Sequence, residues 1–108
     1  MDLLAHFNFD VHYAIDGLYA LKALRCEDFQ LAIICCKLPI INGLKLVEIY
    51  HQENPFLPVI FINDSIDLDF ARLSKILKAK AFITEPYEDN KLIYSIKKSL
   101  DLNLLKAV

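Results

Sequence analysis

The chain has 108 residues, enough for one domain that buries roughly two-thirds of the surface its unfolded form would expose. Its 56% hydrophobic content, two glycines and four prolines, with a mean hydropathy of +0.34, exclude a disordered or fibrous chain. Twelve basic and fourteen acidic residues lie intermixed for a net charge of −2, so no block of like charge builds the field that a nucleic-acid backbone requires.

In chain order, residues 11–15 read as a short strand. Residues 16–26 follow as a helix with Leu18, Leu21 and Leu24 along one face and Asp16 as its N-cap. LAIICC at residues 31–36 is apolar throughout, the pattern of a strand covered by helices on both faces. Residues 43–52 form the next helix, with Asn42 as cap and Leu44, Val47 and Tyr50 facing inward; Pro55 and Pro58 fence it from the strand VIFIN at residues 59–63. A helix over residues 65–78, capped by Ser65, carries Phe70, Leu73 and Leu77, and residues 81–84 are the last strand. A final helix starts near Glu88, with Leu92, Ile96 and Leu100 at four-residue spacing. Strands and helices alternating in this way imply βα units, a parallel sheet and a three-layer α/β fold in one unit over residues 1–108. In such sheets the functional crevice lies beyond the carboxyl ends of the strands, here Cys35 and Cys36, Asn63 and Asp64, and Glu85.

No apolar run approaches the roughly 18–20 residues of a membrane span, and residues 1–11 lack the basic start and long apolar stretch of a signal peptide, so a cytoplasmic location is expected. Cys26, Cys35 and Cys36 are an odd count without disulfide or zinc-site spacing, as suits a reducing compartment. Buried free cysteines usually behave as small hydrophobes, the expectation for Cys35 and Cys36. His6, His12 and His51 are scattered and read as ordinary surface or core histidines.

Three local patterns then align. AIDGLYAL at residues 14–21, LAIICCKLPIINGLKL at residues 31–46 with Pro39 and Gly43, and FITEPYEDNKL at residues 82–92 with Pro86 and the aromatic Tyr87 together resemble the receiver domain of two-component response regulators. The resemblance covers essentially the whole chain. It implies a flavodoxin-like, doubly wound parallel sheet of order 2-1-3-4-5, with the first strand missing because the sequence begins inside the first helix. It also implies a cis Glu85–Pro86 bond and places the family's switch aromatic at Phe82, where one fixed, packed rotamer is expected.

The same resemblance locates the phosphoacceptor site. The family's phosphorylated aspartate, four residues before the proline, falls on Cys35; its hydroxyl residue falls on Asn63; its lysine falls on Glu85; its magnesium-holding acidic pair belongs to the absent first strand. Phosphoryl transfer needs an oxyanion nucleophile, a metal held by carboxylate oxygens and a cation for the developing charge, and all three are replaced. The expectation is a non-enzymatic, phosphorylation-independent pseudo-receiver without metal or cofactor. It would act as a protein-interaction module in bacterial two-component-type signalling, through the surface of residues 65–78, residues 81–84 and the last helix. The alternative is a thiol redox sensor using Cys35 and Cys36. Lys37 and Glu85 could meet across the crevice, although two solvated side chains are the expectation. Without a first strand, residues 11–15 and 31–36 would face a gap about 10 Å wide, and with the apolar tail LNLLKAV at residues 102–108 this points to a homodimer.

Overall fold

The computed structural model describes residues 9–64 and 68–100. They form helix α1 (Gly17–Cys26), strand β1 (Ala32–Cys35), helix α2 (Gly43–Glu53), strand β2 (Val59–Asn63), helix α3 (Leu68–Ile76), strand β3 (Ala81–Thr84) and helix α4 (Asp89–Ser99). The strands make one parallel sheet in the order β1-β2-β3, with Ala32 beside Val59 through Cys35 beside Ile62, and Ile60 beside Ala81 through Asn63 beside Thr84.

Every residue of β2 is buried, because the central strand of a sheet covered on both faces has no solvent side. On one face Val59 and Phe61 pack with Ile34 of β1 and Cys36 just after it against Leu21 and Leu24 of α1 and Leu44, Leu46, Val47 and Tyr50 of α2. On the other, Ile60, Ile62 and Ile83 pack against Leu92, Ile93 and Ile96 of α4. Each such aliphatic or aromatic side chain contributes about 1.5–3 kcal/mol by leaving water.

The helices start and stop where their local chemistry dictates. The Asp16 carboxylate accepts a hydrogen bond from the Tyr19 amide at 2.7 Å, and the Asn42 side chain accepts one from the Lys45 amide at 2.9 Å, so both expected N-caps are in place. The Ser65 cap lies outside the described residues. Helix α3 ends at Ile76, two residues short of the expected end at residue 78. Lys78 takes a left-handed φ of 60°, its amide bonds to the Lys75 carbonyl and the Ala79 amide to that of Ser74, a Schellman closure.

Three expectations are corrected. Residues 11–15 form no strand; a strand exists only through pairing, and among the described residues nothing hydrogen-bonds along this segment as a ladder, although Phe9 and Val11 pack on the α4-side core. Leu18 and Leu73, expected on core-facing stripes, are 40% exposed, because α1 presents Gly17, Leu21 and Leu24 inward and α3 instead buries Ser74, whose hydroxyl bonds to the Ala71 carbonyl at 2.7 Å. The apolar tail at residues 102–108 lies outside the described residues.

Two contacts fix α2. At its far end Arg25 of α1 forks onto the Glu53 carboxylate, Nε to Oε1 at 2.9 Å; this pairing raises the guanidinium pKa and lowers that of Glu53, so the link holds at neutral pH and fades as pH falls below the ordinary glutamate range. At its near end the Gly43 amide bonds to the Cys36 carbonyl at 3.0 Å, and a Cβ on Gly43 would stand 2.2 Å from the Cys35 carbonyl oxygen and 2.6 Å from Ile34 Cγ2. Only a glycine lets the helix start this close to the end of β1. Gly43→Ala is expected to lower the unfolding free energy by about 1–3 kcal/mol, read as a lower urea midpoint at unchanged slope; an unchanged midpoint would show that α2 can slide away from β1 at little cost.

Candidate functional site at the carboxyl ends of the strands

Parallel pairing brings the three strand ends side by side. The Cys36 amide bonds to the Ile62 carbonyl at 3.0 Å, and the Glu85 amide to the Asn63 carbonyl at 2.7 Å. Cys35, Asn63 and Glu85, far apart in sequence, therefore stand at or just beyond the carboxyl ends of adjacent strands of one sheet. The Glu85–Pro86 bond that follows is cis. Phe82 lies half-buried against the cluster that contains Phe61.

The two cysteines part company. Cys36 is fully buried, whereas Cys35 is exposed, which corrects the expectation that both are core residues. Successive strand residues point to opposite faces: Cys36 follows Ile34 into the α1/α2 core, and Cys35 points the other way at the last position of β1. Its thiol pKa is raised, first by partial enclosure of the sulfur and then by the Glu85 carboxylate. The Tyr87 hydroxyl is raised too, by burial first and then by Glu85, Asp89 and Cys35. Glu85 is thus the negative neighbour of both groups. Asn63, at the end of β2, is buried.

Lys37 does not turn to Glu85. Its Nζ lies 3.3 Å from Oδ1 of Asp64, with both side chains more than half exposed, a pair worth at most about 1 kcal/mol. It spans the loops after β1 and β2 and neutralises the cation nearest Cys35 in sequence. Asp64 and Tyr87 are the site residues for which the sequence reading had no role. Asp64 stands visibly at the end of a strand, but which partner Lys37 selects depends on how two loops are placed, and no periodicity carries that.

Residues 1–97 match the response regulator receiver domain family. The chain belongs to this family. It is 25% identical over 92 residues to the C4-dicarboxylate transport transcriptional regulatory protein DctD of Pseudomonas aeruginosa, a match that covers 84% of this chain and 20% of that protein; the chain thus spans about a fifth of the length of this curated relative. Among solved structures, a CheY-like receiver domain protein from Methanospirillum hungatei superposes with a TM-score of 0.88 at 26% identity, covering 98% of this chain and 85% of the other. The receiver domain of NtrX from Brucella abortus shares the fold with a TM-score of 0.87 at 24% identity, covering 93% and 85%.

The receiver domain's strand ends can be tested against the magnesium that the family implies. A hard cation takes several oxygen ligands. The acceptor position here offers a sulfur held protonated, Asp64 is engaged by Lys37, and among the described residues no group of three or more His, Cys, Asp or Glu side chains is arranged to hold a metal ion. These residues do not fit the ion.

The thiol chemistry has a direct readout. Because only the thiolate attacks an alkylating agent and the raised pKa delays its appearance, Cys35 should react with iodoacetamide more slowly than free glutathione at pH 8 and catch up at higher pH. Glu85→Gln removes the smaller of the two causes and should bring that rise to lower pH without restoring an ordinary thiol. A rate unchanged in Glu85→Gln would show that the carboxylate does not reach the sulfur.

Proposed function

We propose that this receiver domain works without phosphorylation, as a non-enzymatic pseudo-receiver that acts by binding other proteins. The observation that carries the reading is the charge at the strand ends. The nucleophile position holds a neutral thiol whose neighbour is the Glu85 carboxylate, and the nearby Lys37 is occupied by Asp64. An incoming phosphoryl group would meet a negative charge where phosphoryl transfer needs a positive one.

With acetyl phosphate and magnesium, intact-protein mass spectrometry is expected to find no phosphoryl adduct. An adduct that disappears in Cys35→Ser would overturn the proposal.

The partner surface proposed is that of α3, β3 and α4. Its support is apolar area left in water: Leu73 and Ile76 on α3 and Tyr94 on α4 are exposed large hydrophobics, the kind of residue that marks protein contacts. Self-association into a homodimer is supported separately by β1, whose second edge has no partner among the described residues; an open parallel edge is a template for another strand. Sedimentation at micromolar concentration is expected to give a dimer, and a monomer there would refute self-association without touching the phosphorylation result. A thiol sensor at Cys35 and Cys36 is the second reading. It draws on the exposure of Cys35, while the raised thiol pKa and the buried Cys36 weigh against it; mild peroxide would oxidise Cys35 first if sensing were its role.

A further inference from the structure

Helix α3 turns large apolar residues toward water. A helix that covers a sheet normally lays such side chains on the core, yet here Ser74 is the residue taken inside, at 2% exposure, while Leu73 and Ile76 stand 40% and 67% exposed. Three positions apart, they lie on one face of the helix. Leaving them in water forgoes the stabilisation that burial inside the domain gives such side chains.

Positive charge surrounds this stripe. Residues 70–84 hold Arg72, Lys75, Lys78 and Lys80 and no acid, in a chain whose net charge is −2, and all four cations are exposed. Arg72 reaches Asp69, one turn back, at 3.4 Å, with both side chains open to solvent, a pair that contributes little. Lys75, Lys78 and Lys80 have no ion-pair partner among the described residues. The helix dipole accounts for a cation in the last turn, Lys75. It does not account for a lysine kept at residue 78, where the left-handed φ of 60° suits glycine without strain, nor for the apolar residues set between the cations.

We propose that α3 is the recognition element of the partner surface and that it takes an acidic amphipathic helix of another protein. The proposal rests on the protein-binding reading above and names the chemistry of the partner. A helix laid along α3 would cover Leu73 and Ile76 with its own apolar stripe and set carboxylates opposite Arg72, Lys75 and Lys78, so that opposite charge steers the encounter and fixes the register. A second copy of the same basic face is repelled, which separates this contact from self-association at the β1 edge. Nucleic-acid phosphates match the cations alone and give Leu73 and Ile76 nothing to pack on. A bilayer takes helices that sink about 5–10 Å into it, whereas α3 is tied to the domain by buried Ser74 and by Leu77 just beyond its end, which packs on the α2-side core.

The test uses the full chain and a synthetic helix of about 20 residues with leucines at i, i+3, i+4 and i+7 flanked by glutamates, beside a matched helix with lysine for every glutamate. The glutamate helix is expected to bind, with amide shifts in the nuclear magnetic resonance spectrum centred on residues 72–80, and the lysine helix is not. Ile76→Ser should weaken binding about tenfold, the loss of one buried side chain. Lys75→Gln should weaken it about two- to fivefold, a loss that disappears in 1 M salt, while Lys22→Gln, at an exposed lysine of α1, should leave it unchanged. No binding of the glutamate helix up to about 1 mM, equal binding of the lysine helix, shifts centred away from residues 72–80, or tighter binding to phosphatidylserine vesicles or duplex DNA overturns the proposal. Its failure leaves the pseudo-receiver reading in place as long as acetyl phosphate adds no phosphoryl group, and a phosphoryl adduct overturns that reading without altering the measured contact.

Discussion

The burial of Val59–Asn63 is the constraint from which the rest of this domain follows. A five-residue strand with no exposed position must have a sheet neighbour on each side and a helix layer on each face. β1 and β3 supply the neighbours, α1 and α2 cover Phe61 and Val59, and α4 covers Ile60 and Ile62. Because the three strands run parallel, their carboxyl ends fall at the same end of the sheet. That Cys35, Asn63 and Glu85 stand at one end of the sheet is a by-product of that geometry, whatever side chains occupy those positions.

What the side chains decide is the sign of the charge there. Receiver chemistry depends on an anionic nucleophile beside bound and fixed cations. In this member of the family a protonated thiol sits near a carboxylate, and Lys37, the cation nearest Cys35 in sequence, is paired with Asp64. The scaffold that aligns the strand ends is intact: the Gly43 amide still closes onto the Cys36 carbonyl, and the Glu85 amide onto that of Asn63.

The order of elements was legible because two periodicities repeat along the chain. VIFIN could only be a covered strand, and the stripes of α2 and α4 matched the faces they bury. Asp16 and Asn42 were legible as caps because capping is local, settled within three residues. The strand expected at residues 11–15 failed for the converse reason. A short β-branched or apolar run describes a chain that could pair, but pairing needs a neighbour, and a neighbour is a tertiary fact. Leu18 and Leu73 failed on the same ground, since a stripe drawn from spacing alone does not say where the opposing surface ends.

By itself, then, the sequence determined the α/β class, the starts of α1, α2 and α4 and which residues stand at the strand ends, because each is set by chemistry within a few positions of the chain. Only the tertiary structure decided that Cys36 is buried while Cys35 is exposed, that Lys37 pairs with Asp64 rather than Glu85, and that His12 lies between two carboxylates. Those outcomes depend on which loops the packed sheet brings within about 4 Å of one another, the reach of an ion pair, and residues as far apart as Lys37 and Asp64 carry no local signal of that distance.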